Sequence, residues 1–371
     1  MTLQPSYYSK FKCIANKCKD NCCIGWEINV DKDSYEYYMS IKSDFSKQLH
    51  NGILKKDDEY SFRLGKQKRC VFLNENNLCD IICNLGEKSL CQICSDHPRY
   101  YNFYKDVQEN GLGLACEEAC RIILTEENSI NFINSVTGEI CNRYTTDDIY
   151  LNFLLSVREI LLNTLHIKDY SITVRLAVIV KLCDIIQNLV DSSCTDLELF
   201  ESVDKLSNTS QQLLQIYKEQ HKTDQSIDTI IDIIKDFTTL EILDAKWLEI
   251  LKEAVNKFSH FNLNKKTTSL NTNIEKMFEN LSVYFVQRYF METYFNNQIY
   301  EFGIFIAVCF ILIRYLMQIT CAKITTESVI DLIHSFSKEI EYSDCNIDSL
   351  YKLFVSSDIY SIDSLIDILL I

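Results

Sequence analysis

The sequence predicts a mainly α-helical protein: an irregular, cysteine-rich N-terminal domain with a short β-hairpin, followed by a helical array or bundle. Three observations carry this. Eleven of the seventeen cysteines lie between residues 13 and 120. Seven of the eight glycines and both prolines precede residue 140, so the irregular backbone that lets side chains converge is concentrated there. Beyond residue 140, Leu, Ile and Val recur at three- and four-residue spacing, the period of a helix with one apolar face. We therefore draw a boundary between a cysteine-rich domain, residues 1–140, and a helical domain, residues 141–371.

The opening stretch MTLQPSYYSKFKC lacks the apolar run of a secretory signal, and the expected location is the cytoplasm. In a reducing compartment, clustered thiols read as metal ligands or redox groups before disulfides. FKCIANKCKDNCCIGW (11–26) supplies Cys13, Cys18, Cys22 and Cys23. Successive side chains usually point apart, so either one of Cys22 and Cys23 ligates while the other packs, or each serves a different centre. Residues 31–49 read as a helix capped by Asp31 or Asp33. RCVFLNENNLCDI reads as the hairpin, with its turn at 74–77 and Cys70 facing Cys79 across it. Cys83, Cys91, Cys94, Cys116 and Cys120 follow at short intervals.

The helical part opens with DIYLNFLLSVREILLNTL (148–165) and continues with YSITVRLAVIVKLCDIIQNLV, DQSIDTIIDIIKDF and IEKMFENLSVYFVQRYFMETYF. Polar segments such as NLNKKTTSLNTN link these helices. FGIFIAVCFILI (302–313) is uncharged, but a run of this length is expected as a buried core helix and not a membrane span. The six scattered cysteines, Cys141, Cys183, Cys194, Cys309, Cys321 and Cys345, are expected to pack as small hydrophobes.

Net charge is −15, and residues 141–371 carry −12 of it. Such acidity argues against nucleic-acid binding, which needs concentrated Lys and Arg. It is compatible with steering a basic, lysine-bearing partner.

Thiolates select zinc, copper(I) or iron–sulfur clusters, and intervals of two or three residues let neighbouring sulfurs reach one centre. Spacing does not separate zinc from iron–sulfur. His97, in CSDHPRYY, is the histidine nearest these cysteines, and it reads as a hydrogen-bonded turn residue or, less simply, a further ligand.

Three stretches together resemble a known family: YYSKFKCIANKCKDNCCIGWEINVDKDSYEYY, RCVFLNENNLCDIICNLGEKSLCQICSDHPRYY and GLGLACEEACRIIL. They are similar to the flagellin lysine N-methylase family, whose N-terminal half holds a zinc- or iron-chelating cysteine-rich domain. The resemblance covers residues 7–125. Carried onto this chain, the recurrent cysteines fall on Cys13, Cys18, Cys22, Cys23, Cys70, Cys79, Cys94 and Cys116, with Cys91 matching the methylase branch. Cys83 and Cys120 are surplus, and no proline follows Cys116. The resemblance implies iron–sulfur ligation, a 4Fe–4S cluster above all, and methyl transfer from S-adenosylmethionine to flagellin lysines. Zinc is the alternative metal.

No conventional donor motif accompanies this. Only GLG (111–113) approaches a glycine-rich turn, and CKDNCCIG lacks the C-x3-C-x2-C triplet of radical enzymes. No catalytic residue is assigned. Arg99, fixed behind Pro98, is the candidate for holding a donor carboxylate, with a structural salt bridge as its other reading. Tyr7, Tyr8, Trp26, Tyr100, Tyr101, Phe103 and Tyr104 offer aromatic faces for a sulfonium or ammonium, or simple packing. Glu109, Glu117 and Glu118 are candidates for taking the amine proton. Two other classes remain open: a non-catalytic, zinc-stapled interaction module and an iron–sulfur redox protein.

Overall fold

The structure, a computed structural model, describes residues 1–141, 145–193, 195–220, 227–258 and 271–371. The organising element of the helical part is Ile299–Thr320. Between Glu301 and Arg314 it carries no charge, and a helix apolar on every side has to be surrounded. The helices Ile172–Ser192, Ala245–Phe258, Thr326–Ile340 and Ile362–Leu369 enclose it, burying Phe302 through Gln318. Long and apolar enough to cross a membrane, this helix is instead the centre of the core.

Close packing there depends on one small residue. A Cβ at Gly303 would stand 2.7 Å from the Cβ of Cys183 on Ile172–Ser192. Alanine improves helix propensity by about 0.5–1 kcal/mol, whereas overpacking costs about 1–3 kcal/mol. Gly303→Ala is therefore expected to melt below the parent in thermal denaturation, and an unchanged or raised midpoint would show that the two helices separate freely.

The expected helices at 148–165, 170–190 and 224–237 appear as Ile149–Leu165, Ile172–Ser192 and Ile227–Phe237. Residues 224–226, and most of the polar linker NLNKKTTSLNTN, lie outside the described residues. The segment expected as one helix over 274–295 is Thr272–Tyr289, a single 3-10 turn at Phe290–Glu292 and a short helix Thr293–Asn296. Of the scattered cysteines, Cys183 and Cys309 are buried, Cys141 and Cys321 are half-buried, and Cys345 is exposed; Cys194 lies outside the described residues.

In the N-terminal part, Asp31 is the cap: its carboxylate accepts from the Ser34 amide at 2.8 Å. The helix it starts ends at Ser40, not residue 49. Ile41 is extended and turns its side chain onto a small core, and a second helix, Ser46–Asn51, follows. The turn at 74–77 forms where expected, with the Asn74 carboxamide accepting from the Asn76 and Leu78 amides. Its ladder is a single bridge, Leu73 to Cys79, so Cys70 does not face Cys79 across it; Cys70 bridges Leu64 instead. A regular hairpin stands earlier, between β2 (Ile53–Lys56) and β3 (Glu59–Phe62).

A four-stranded sheet is the larger addition. Its order is β4 (Arg99–Tyr104), β5 (Val107–Leu112), β1 (Thr2–Pro5), β6 (Phe132–Asn134), with β1 parallel to β5 and the other pairs antiparallel.

Two hydrophobic cores result. Leu3, Tyr104, Val107, Leu112 and Phe132 of the sheet share one core with the helices. Residues between Ile28 and Cys91 form a second, smaller core of their own.

Candidate metal centre

The eleven cysteines between residues 13 and 120 are all free thiols. Nine of those with ligand spacing fall into two gatherings.

The first is built on the small core. Cys70 and Cys91 are buried in it, and Cys23, Cys79 and Cys94 pack against it. Backbone pairing brings the distant pieces together: the Cys70 amide donates to the Cys23 carbonyl at 2.9 Å, and Gly25 to Lys68 at 3.1 Å. The Asn74 turn then returns the chain, so that Cys79 begins the helix Asp80–Leu85. Cys91 precedes the helix Gln92–Asp96, whose first amide donates to the Asp31 carboxylate at 2.8 Å. One aspartate thus fastens two helix starts. The Cys94 thiol donates to Cys91, which raises the proton affinity of Cys94 and lowers that of Cys91.

The second gathering lies where the first loop meets the helical body. Cys116 precedes the helix Glu117–Leu124. The Glu117 carboxylate accepts from the Lys19 amide at 2.7 Å, the Asp20 amide at 3.4 Å and the Cys18 thiol at 3.5 Å. Asp20 is gripped in turn from Thr326–Ile340, by His334 Nε2 at 2.9 Å and Lys338 Nζ at 2.7 Å. Burial alone would raise the Asp20 carboxyl, but these two partners hold it well below its usual range. Cys13 and Cys22 are exposed here. Cys116 lies within the field of Cys22 and Cys13, and Cys18 within that of Cys116.

Adjacent Cys22 and Cys23 divide between the two groups: Cys23 packs against the small core and Cys22 is exposed. Burial pushes Cys70 and Cys116 up to about 11 and, with Glu117 beside it, Cys18 up to about 12. A bound cation inverts that balance, because a coordinating thiol is deprotonated. The surplus cysteines differ: Cys83 is exposed, and Cys120 is buried in the main core with its thiol towards the Ile330 carbonyl.

The donor chemistry fits a thiophilic metal. As placed, no three Cys, His, Asp or Glu side chains among the described residues converge enough to hold an ion.

Beside the second gathering stands an aromatic junction. Trp26 Nε1 donates to the Cys22 carbonyl at 2.5 Å. The Trp26 ring packs on His97 and Tyr342, with centroids 6.1 and 6.4 Å away. Burial holds His97 neutral, down to about 4, and its Nε2 has no partner. Behind these rings Arg288 lies over Tyr100 at 4.5 Å, donates to the Tyr284 hydroxyl at 3.0 Å and stands 3.6 Å from the Glu341 carboxylate. The Arg288 guanidinium and Tyr342 hydroxyl each stand 3.1 Å from where a Gly113 Cβ would sit, so a side chain there would push both back by a few tenths of an ångström.

Arg99 starts β4 with its guanidinium over Phe11, 5.3 Å away, and towards the Ser95 carbonyl. The arginine brought to the junction is Arg288. Of the three expected acids, Glu109 is locked to Arg158 in a buried pair and Glu117 is occupied by the thiol loop. Glu118 lies 3.6 Å from Arg121. Arg288, His334, Lys338, Glu341 and Tyr342 were missed because no local pattern connects the second half of the chain to the cysteines.

A sequence model described as the FliB lysine N-methylase C-terminal domain matches residues 158–369, more than half of the chain. The chain belongs to the FliB lysine N-methylase family. The family match thus runs through the helical part, where the sequence analysis found no motif. Among curated relatives, the lysine-N-methylase of Salmonella typhimurium is 31% identical over 133 residues, 34% of this chain and 33% of that protein. A counterpart with the same name in Salmonella choleraesuis is similar to the same extent. The flagellar biosynthetic protein FliU of Salmonella muenchen is 30% identical over 133 residues, covering 79% of its length. The matched stretch is about a third of the length of the first two relatives. No solved structure matches this FliB-family chain.

Proposed function

We propose that this protein is a cytoplasmic protein-lysine N-methylase acting on flagellin, with S-adenosylmethionine as donor and an iron–sulfur cluster held by the N-terminal thiols. The observation that carries the reading is the family match along residues 158–369. The names of the relatives, lysine-N-methylase and flagellar biosynthetic protein, support it further.

In the reaction, the lysine nitrogen bonds to the donor methyl carbon as the carbon–sulfur bond breaks, and the ammonium formed gives up a proton. The amine has to arrive neutral, which a desolvated pocket favours. Trp26 and Tyr342 offer faces suited to a sulfonium or ammonium. Arg288, already spent on Glu341 and three tyrosine rings, is a positioning residue behind them. A cluster held by thiols such as Cys18, Cys22 and Cys116 would supply Lewis-acid or one-electron chemistry beside them. The acidic helical part, net −12 over residues 141–371, suits a basic substrate surface.

The test is incubation of the full chain, purified without oxygen, with flagellin and methyl-labelled donor, followed by peptide mass spectrometry. Label on flagellin lysines is the expected result. Its absence, with donor binding also absent by calorimetry, overturns the reading. A second reading, a zinc-stapled interaction module, is favoured by two buried and three half-buried thiols gathered on a small core of their own. It requires stoichiometric zinc, no label and flagellin binding without turnover.

A further inference from the structure

We propose that the nine thiols serve two separate metal centres. One is closed and drawn from Cys23, Cys70, Cys79, Cys91 and Cys94. The other is open and formed by Cys13, Cys18, Cys22 and Cys116. The inference rests on the thiolate–metal part of the proposed function and goes beyond it in number, membership and division of labour.

Three independent observations place the division. The first is packing. Cys70 and Cys91 belong to the small core, with Cys23, Cys79 and Cys94 against it, whereas Cys116 packs against the core of the helical body. The second is connectivity. Cys23 is tied to Cys70 by backbone pairing, while Cys18 is tied to the helix behind Cys116 through Glu117. The third is the Cys22–Cys23 step. Cys23 turns onto the small core and Cys22 is exposed beside Trp26, so the two neighbours face different gatherings.

The gatherings also differ in access. The first has two buried and three partly buried thiols; in the second, Cys13 and Cys22 are exposed, with Cys18 and Cys116 half-buried. Structural metal sites are closed by protein ligands, and catalytic ones keep a position open. The closed centre therefore staples residues 23–94. The open centre, bordered by Trp26, is the one a small molecule can reach. Four thiolates suit either zinc or an iron–sulfur cluster, so each centre takes a thiophilic metal, and the assay identifies which.

The experiment counts iron, zinc and sulfide in the full chain purified without oxygen, and records its Mössbauer spectrum after iron-57 labelling. Two chains carry the comparison, Cys22→Ser/Cys116→Ser and Cys70→Ser/Cys94→Ser. The unmodified chain is expected to hold two centres. The first variant should lose one and keep the other with its spectrum or zinc content unchanged; the second should show the converse and a lower melting temperature. If the Cys70/Cys94 variant does not fold, the Cys22/Cys116 variant decides alone, because far-ultraviolet circular dichroism should show it folded with one centre left. A single centre in the unmodified chain overturns the proposal, as does loss of all metal from a folded Cys22/Cys116 variant. Absence of any metal overturns it and the cofactor part of the proposed function together. Metal present without methyl transfer would instead overturn the activity and leave the two centres standing.

Discussion

Replacing Glu109 with alanine is expected to lower the unfolding free energy by about 3–5 kcal/mol, the cost of leaving one partner of a buried pair uncompensated. Glu109 sits in β5, opposite Leu3 of β1 and Asn102 of β4. Both of its oxygens meet the Arg158 guanidinium at 2.7 Å, and the side chains are 2% and 0% exposed. Arg158 also lies over the Phe132 ring of β6, 4.9 Å away. One fork therefore joins β5 and β6 to the helix Ile149–Leu165. With the carboxylate gone, the guanidinium cannot reach water without pulling the sheet from the helix. The comparison that isolates the charge is Glu109→Leu with Arg158→Met. Paired apolar replacement of a buried ion pair is often neutral or stabilising, so the double variant should recover most of the loss in chemical denaturation. Equal stability of Glu109→Ala and the parent would show that water reaches Arg158.

The second large effect is expected at Arg288. Its alanine variant loses cation–π contact with Tyr100, Tyr284 and Tyr289, worth about 2 kcal/mol where desolvated. It also removes the cation beside Glu341, whose side chain is fully buried and whose Oε1 has no partner. The Tyr284 and Tyr289 hydroxyls still donate to its other oxygen at 2.6 Å, so losing the cation weakens the support of this buried charge without stripping it, at about 1–3 kcal/mol more. A combined loss of about 3–5 kcal/mol should appear as a lower denaturation midpoint. On the proposed function, donor affinity should fall with it, because the Tyr100 ring loses the group it packs against. Arg288→Lys keeps the charge without the planar fork, and it is expected to regain less than half of either quantity. A lysine variant indistinguishable from the parent would reduce Arg288 to a point charge.

Much of the helical part was legible because burial imposes a period. The helices Ile149–Leu165 and Ile172–Ser192 were readable from Leu, Ile and Val spacing, and the uncharged run at 302–313 from its length. The cap at Asp31 was equally local. What escaped was pairing at a distance. β1 is four residues, one of them proline, and becomes a strand only because β5 and β6 flank it. The hairpin expected at Cys70 reduced to one bridge because the apolar residues there, Phe72 and Leu73, are drawn into the small core.

The thiols show the same limit. Spacing identified nine candidate ligands without stating which share a centre, since membership depends on Glu117, Asp20 and the backbone pairing of Cys23 with Cys70. Arg99 was chosen for its rigid local setting. The junction is built around an arginine nearly two hundred positions further along, which only the packing of Thr272–Tyr289 against β4 could reveal.

The grip on Asp20 also sets an order of events during synthesis. Its partners His334 and Lys338 lie 314 and 318 positions downstream. Chains leave the ribosome N-terminus first, at about 5–20 residues per second, and folding follows emergence. Everything that shapes the core from Ile28 to Cys91 is available early, so that unit can close on a nascent chain. The loop carrying Cys13, Cys18 and Cys22 gains its first anchor when Glu117 emerges, and the second only once the helix Thr326–Ile340 has been translated. It is thus the last part of the N-terminal sequence to be fully secured, and its thiols stay accessible on the nascent chain after the smaller core has closed.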